Sequence, residues 1–119
     1  MVTNLLTLHN QLKIFHWQTP KYSAHVAYGD IYTDLSDLID EFVEIFMGKY
    51  GKIKNKDGFQ INLINLNNDK DEINFIDKQI KYISSELKKS LKDDDTDLFN
   101  IIDEMLSKLN KLKYLLTLQ

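Results

Sequence analysis

One proline and four glycines in 119 residues leave this chain almost nothing with which to break a helix. Proline removes a backbone donor, and glycine costs a helix about 1 kcal/mol relative to alanine, so their scarcity predicts long, uninterrupted helices. The apolar residues agree. Leu5, Leu8, Leu12 and Phe15 recur at three-and-four spacing and predict a first helix over residues 2–17. Pro20 breaks that pattern within the link 18–22. Tyr28, Ile31, Tyr32, Leu35, Leu38, Ile39, Phe42 and Phe46 then form the stripe of a second helix, over residues 23–47. Ser23 is its expected N-cap, and Gly48 and Gly51 its expected stop.

Residues 49–68 show no helical period; within them Phe59, Ile61 and Leu63 alternate as in a short strand or an extended packed segment. A third helix is predicted over residues 69–91, where Ile73, Ile76, Ile80, Ile83, Leu87 and Leu91 keep a seam. Acidic residues crowd its first turn, with Lys88, Lys89 and Lys92 near its end, as a helix dipole favours. After a turn at 93–95, Leu98, Ile101, Ile102, Met105, Leu109, Leu112, Leu115 and Leu116 mark a fourth helix over residues 96–118. Short first and last links imply two antiparallel hairpins. The middle connector of some twenty residues reaches at most about 70 Å extended, enough to pass a second helix of roughly 40 Å. The expected architecture is therefore all-α: one domain over residues 1–119, a ferritin-like four-helix bundle with a long crossover between its second and third helices.

A net charge of −3 does not suit electrostatic capture of nucleic acid or of an anionic membrane. With no cysteine, thiolate metal sites and thiol chemistry are excluded. Residues 1–8 lack the basic start and apolar run of a secretory signal, and the apolar stretch 42–47 is far too short to span a bilayer. A cytoplasmic protein is expected.

The polar residues of the second helix carry the chemistry. At 100° per residue, His25, Gly29, Ser36, Asp40 and Glu44 share one flank of the apolar stripe. Asp40 and Glu44 lie one turn apart, so both carboxylates can reach a common cation. His16, at the end of the first helix, faces the same end of the hairpin as His25. Yet His25 and Asp40 are separated by roughly 22 Å along one rod, and metal ligands lie only about 2 Å from their ion. One chain cannot bring them together. A second copy, antiparallel about a two-fold axis near Thr33, sets His16 and His25 of one chain against Asp40 and Glu44 of the other. Gly29 and Ser36 straddle that axis and permit close approach.

His16-Trp17, then His25, then Asp40 with Glu44 resembles the ferroxidase signature of the Dps mini-ferritins, over about residues 5–47. From His25 to Glu44 the family spacing is kept, while the link between the histidines is a few residues shorter. The resemblance implies a metal site of His16, His25, Asp40 and Glu44 across a two-fold interface. It further implies Fe(II) oxidised with peroxide or oxygen, and ferric product stored in a dodecameric cage. Zn(II) and Mn(II) also fit such mixed nitrogen and oxygen donors. As neutral imidazoles the histidines would release metal below about pH 6. The chain is also similar to short proteins encoded by bacteriophages. It departs from the Dps pattern at Gly29, where that family has a further Asp, and Asp30 points about 100° away. DNA-binding members often carry a Lys-rich tail, whereas here the first helix is expected to start almost at Met1, so the resemblance implies a metal site more strongly than DNA packing.

A blander reading stands beside this one. His16-Trp17 would simply end a helix, with Trp17 plugging the core. His9 would be a boundary residue, Tyr32 a packing residue, and Asp34, Asp37, Asp40, Glu41 and Glu44 a solvated face. The chain would then be a non-catalytic helical interaction module without a working metal centre, or a dimer joined by His–carboxylate salt bridges.

Overall fold

The computed structural model describes residues 1–118, and its ordered elements are all helical. They are α1 (Val2–Gln18), α2 (Tyr22–Tyr50), α3 (Asp69–Lys81), which continues into a π-helical segment (Tyr82–Leu87), and α4 (Thr96–Leu115). Among the described residues no helix is long and apolar enough to cross a membrane.

The turn between α1 and α2 is tight because Thr19, which precedes Pro20, is forced into extended backbone (φ −64°, ψ 137°). The Lys21 N–H then donates to Thr19 Oγ1 at 3.2 Å. Helix α2 starts at Tyr22, so Lys21 rather than Ser23 occupies the N-cap position. The Ser23 hydroxyl instead donates to the Leu118 carbonyl at 3.3 Å, joining the start of α2 to the end of the chain. At the other end α2 runs straight through Gly48 and stops at Gly51, whose φ of +88° only glycine adopts freely.

Ion pairs mark how α3 and α4 run relative to α2. Lys21 meets Asp69 at 3.3 Å, so α3 begins where α2 begins. Lys49 meets Asp95 at 3.0 Å, so α4 begins where α2 ends. Helices α2 and α3 therefore run parallel, and the connector between them passes the length of the bundle. It does so as extended chain, without a strand, and α1 holds it by two side chains. Gln11, buried on the core face of α1, donates to the Ile64 carbonyl (2.9 Å) and accepts from the Ile64 N–H (2.8 Å), as a strand partner would. Two turns on, Gln18 accepts from the Leu66 N–H at 2.7 Å and donates to Asn65 Oδ1 at 2.9 Å.

Helix α3 opens on a capping box: Asn68 Oδ1 accepts from the Lys70 N–H (2.9 Å) and Asp71 Oδ2 accepts from the Asn68 N–H (3.1 Å). Its seam departs from an ideal helix. From Ile83 onward the apolar residues fall every fourth position, which overshoots a turn of 3.6 residues. The wider π turn absorbs the excess and keeps Ile83 and Leu87 fully buried. Ser85 Oγ donates to the Lys81 carbonyl at 2.6 Å within this stretch. The helix ends before Leu91, which is only partly buried, so the expected helix to residue 91 is shorter and uneven.

The core takes Leu5, Leu8, Leu12 and Phe15 from α1, Tyr28, Ile31, Leu35, Ile39 and Phe42 from α2, and Leu98, Ile102, Met105, Leu109 and Leu112 from α4. Tyr32, Leu38 and Phe46 sit at its margin. Polar Glu72 and Gln79 of α3 are buried beside them, where periodicity places only isoleucines. Burial pushes up both the Tyr28 hydroxyl and the Glu72 carboxyl, and the Glu72 charge raises Tyr28 further. The Tyr28 hydroxyl has no partner that meets hydrogen-bond geometry, so the two groups interact through charge rather than through a well-formed bond.

Candidate functional site

The tight turn brings His16 and His25 into direct contact. Their rings stack with centroids 3.8 Å apart and planes inclined by 16°. Each ring is also tied to the other's backbone: His16 Nδ1–H donates to the His25 carbonyl at 2.6 Å, and His25 Nδ1–H donates to the His16 carbonyl at 2.8 Å. A carbonyl can only accept, so both Nδ1 atoms must carry hydrogen. In the neutral rings both Nε2 atoms are then left as acceptors. This is the tautomer in which histidine binds metal through Nε2, with its other nitrogen held by a backbone carbonyl.

Gly29 makes the stack possible. A Cβ built there would stand 3.2 Å from His16 Cε1 and 3.5 Å from its Nδ1. The imidazole lies against bare helix backbone, in the space any larger residue would enter. The sequence assigns this glycine to close approach of a second chain; within the described chain it has a nearer cause, the His16 ring. The same contact means that a side chain at position 29 would press on His16 in this pose, by a few tenths of an ångström at its Cβ.

Aromatic rings extend the pair on both sides. Tyr22 stacks on His25 (6.2 Å), and the Tyr32 ring meets the edges of His16 (5.4 Å) and His9 (5.7 Å). The Lys13 ammonium lies 5.6 Å from the Tyr32 ring centre. Burial and Lys13 hold the His9 imidazole below its ordinary range, against the opposite pull of Asn10 and Asp40. Tyr32 is thus a spacer between two histidines as well as a packing residue. Trp17 is 66 % exposed and plugs nothing.

The structure does not bring the four proposed donors together in one chain. Asp40 and Glu44 are exposed on α2, and the Asp40 charge is a minor upward pull on His9. Among the described residues no three His, Asp or Glu side chains of a single chain converge. The stack adds a limit of its own. Lone pairs lie in the ring planes, and rings stacked with centroids 3.8 Å apart and a 16° tilt do not aim both lone pairs at one point within the about 2 Å of a metal–nitrogen bond. Both histidines can serve one ion only if a ring turns; otherwise each serves its own.

A second polar cluster, at the far end of α2, is absent from the sequence reading. Asp95 is buried and accepts from the Tyr50 hydroxyl, from the Lys92 N–H (2.9 Å) and from Lys49 Nζ (3.0 Å). Lys49 also meets Asp97 at 2.5 Å. The Tyr50 hydroxyl and the Lys92 amide hold the Asp95 carboxyl down at about 2. Nothing in the run Asp93-Asp94-Asp95 marks the third as the buried one, because its partners Lys49 and Tyr50 lie far upstream. Gln11 did leave a signal, a lone amide among Leu8, Leu12 and Phe15 on a core-facing stripe.

A family model described as "Family of unknown function (DUF5856)" matches residues 16–116, which include His16, His25, Asp40 and Glu44. The chain belongs to that family. No curated protein and no solved structure matches it.

Proposed function

We propose that this member of the DUF5856 family is a ferritin-like, Dps-like metal-binding bundle whose site is shared by two copies. In this reading His16 and His25 of one copy face Asp40 and Glu44 of the other, and iron is the metal handled. The observation that carries the proposal is the reciprocal histidine pair. Two imidazoles are locked in the tautomer that leaves Nε2 free, at an edge of the bundle where a second chain can reach them. The course of the chain supports it as well, since parallel α2 and α3 joined by a bundle-length connector are the ferritin-like arrangement.

The chemistry follows from the donors. Imidazole nitrogen and carboxylate oxygen together suit Fe(II), with Zn(II) and Mn(II) as alternatives. Carboxylates from the second chain neutralise the ion and favour its ferric state. Fe(II) would be the substrate, and peroxide or oxygen would take its electrons. The near-parallel rings favour one ion per imidazole, with the carboxylates spanning both. The cytoplasm suits a cysteine-free protein of this kind, and the aromatic and acidic surface gives no reason to invoke nucleic acid.

Isothermal titration with Fe(II) and with Zn(II) tests the proposal. The wild type is expected to bind, and the double variant His25→Ala, Asp40→Ala to lose at least tenfold in affinity. Identical titrations would remove the metal claim. A second reading has one specific observation in its favour: the His16 ring packs closely against Gly29, where the Dps family has a further carboxylate. In that reading the chain keeps the scaffold and acts by binding a partner without oxidising iron. Fe(II) oxidation no faster than in buffer, by folded protein, would favour it.

A further inference from the structure

The solvent face of α2 divides into two unlike halves about Thr33. The half toward its start presents Tyr22, His25, Val26 and Gly29, with Asp30 its one acid; the half toward its end presents Asp37, Asp40, Glu41 and Glu44. A two-fold axis at Thr33 lays one half on the other, Glu44 opposite Tyr22 and Asp40 opposite Val26. The acids of one half would then meet a half without Lys or Arg, so the two halves lack charge complementarity unless a cation is bound between them. The large apolar residues near the start of α2 are Tyr22 (80 % exposed) and Val26 (42 %), so most of what closure would bury on this face is polar. Closing it would also strip water from Asp40 and Glu44 against imidazoles whose only N–H groups are already committed to carbonyls. A desolvated carboxylate without a partner is costly.

We infer that pairing and metal binding are one equilibrium in this protein: the apo chain is a monomer, and divalent cations on the His16 and His25 imidazoles draw in the second copy's carboxylates. This rests on the shared-site reading and adds the regulation of assembly to it. Any ligand that binds only the paired form must strengthen pairing by mass action.

Sedimentation equilibrium of the full chain, in EDTA and with Zn(II) as a redox-inert probe, tests it. Monomer in EDTA and dimer in Zn(II), with at least a hundredfold change in the association constant, is expected. His25→Ala and Asp40→Asn should each remain monomeric with Zn(II). Their equimolar mixture should pair again, because one of the two sites in the mixed dimer keeps all its donors, and should bind half the Zn(II) of wild type. Asp40 is exposed, so its variant separates loss of a donor from loss of fold. Zn(II) bound by an assembly of the same size in EDTA would overturn the inference and leave the shared site standing. No Zn(II) bound by any form, or no recovery on mixing, would overturn the shared site itself.

Discussion

Helix α2 carries a polar cluster at each end, and the two are built on opposite plans. At its far end Asp95 collects three donors from Tyr50, Lys92 and Lys49, and Lys49 has Asp97 as well. Every strong group there has its partner inside the chain. At its near end His16 and His25 use one nitrogen each on the other's backbone, and Nε2 of each has no hydrogen bond within the described chain. A closed cluster stabilises a fold; one that leaves oriented lone pairs unpaired is where the proposed metal site would lie. Substitutions at the two ends should therefore separate stability from binding.

The largest effect on stability is expected from Asp95→Ala, which strips the acceptor from Tyr50, Lys49 and the Lys92 amide. A fall in Tm on the order of 10 °C, with metal binding unchanged, would sharpen the contrast. The same carboxyl makes acid stability a marker of the closed end. It is held at about 2 in the folded chain against an ordinary 3.8, so the unfolded chain binds more protons between those values. Its contribution is complete above the unfolded value and is lost as pH falls through about 2. Thermal melts across that interval should steepen in wild type and flatten in the variant.

Gly29→Ala should come next. Alanine gains the helix about 1 kcal/mol but presses on His16, so Tm should move by only a few degrees while the stack is disturbed. The two histidine ring signals in NMR should lose the shielding of a neighbouring ring, and metal affinity should fall. Unchanged ring shifts would contradict the role given to this glycine. Gln11→Leu is expected to cost about 1 kcal/mol, because water can take over at Ile64; faster amide exchange at Ile64 is its readout. Smallest of all on stability is Asp40→Asn with Glu44→Gln. Removing a like-charged pair one turn apart should raise stability by a few tenths of a kcal/mol while removing the proposed donors.

Sequence periodicity reached most of the bundle because apolar spacing and helix geometry are both local. Leu5, Leu8, Leu12 and Phe15 are all buried, as that spacing predicts. It was least reliable where burial depends on distant partners. Gln79 and Glu72 are buried in α3, and the seam there needs a π turn that no count of residues announces. His16 and His25 were legible as neighbours because a short turn joins their helices. Their stacking was not legible, since it depends on two carbonyls and on the missing side chain at Gly29. Asp95 was illegible for the converse reason, one acid among three, chosen by residues from another helix.

In the shared site proposed above, the lone pairs left free at one end of α2 meet the carboxylates of another copy across a metal ion. Crystals grown with Zn(II), with anomalous scattering recorded at the zinc edge, should show density about 2 Å from Nε2 of His16 or His25 and from Asp40 or Glu44 of a two-fold-related copy. Zinc bound to carboxylates alone, or a paired structure in which those imidazoles and acids lie far apart, would contradict it.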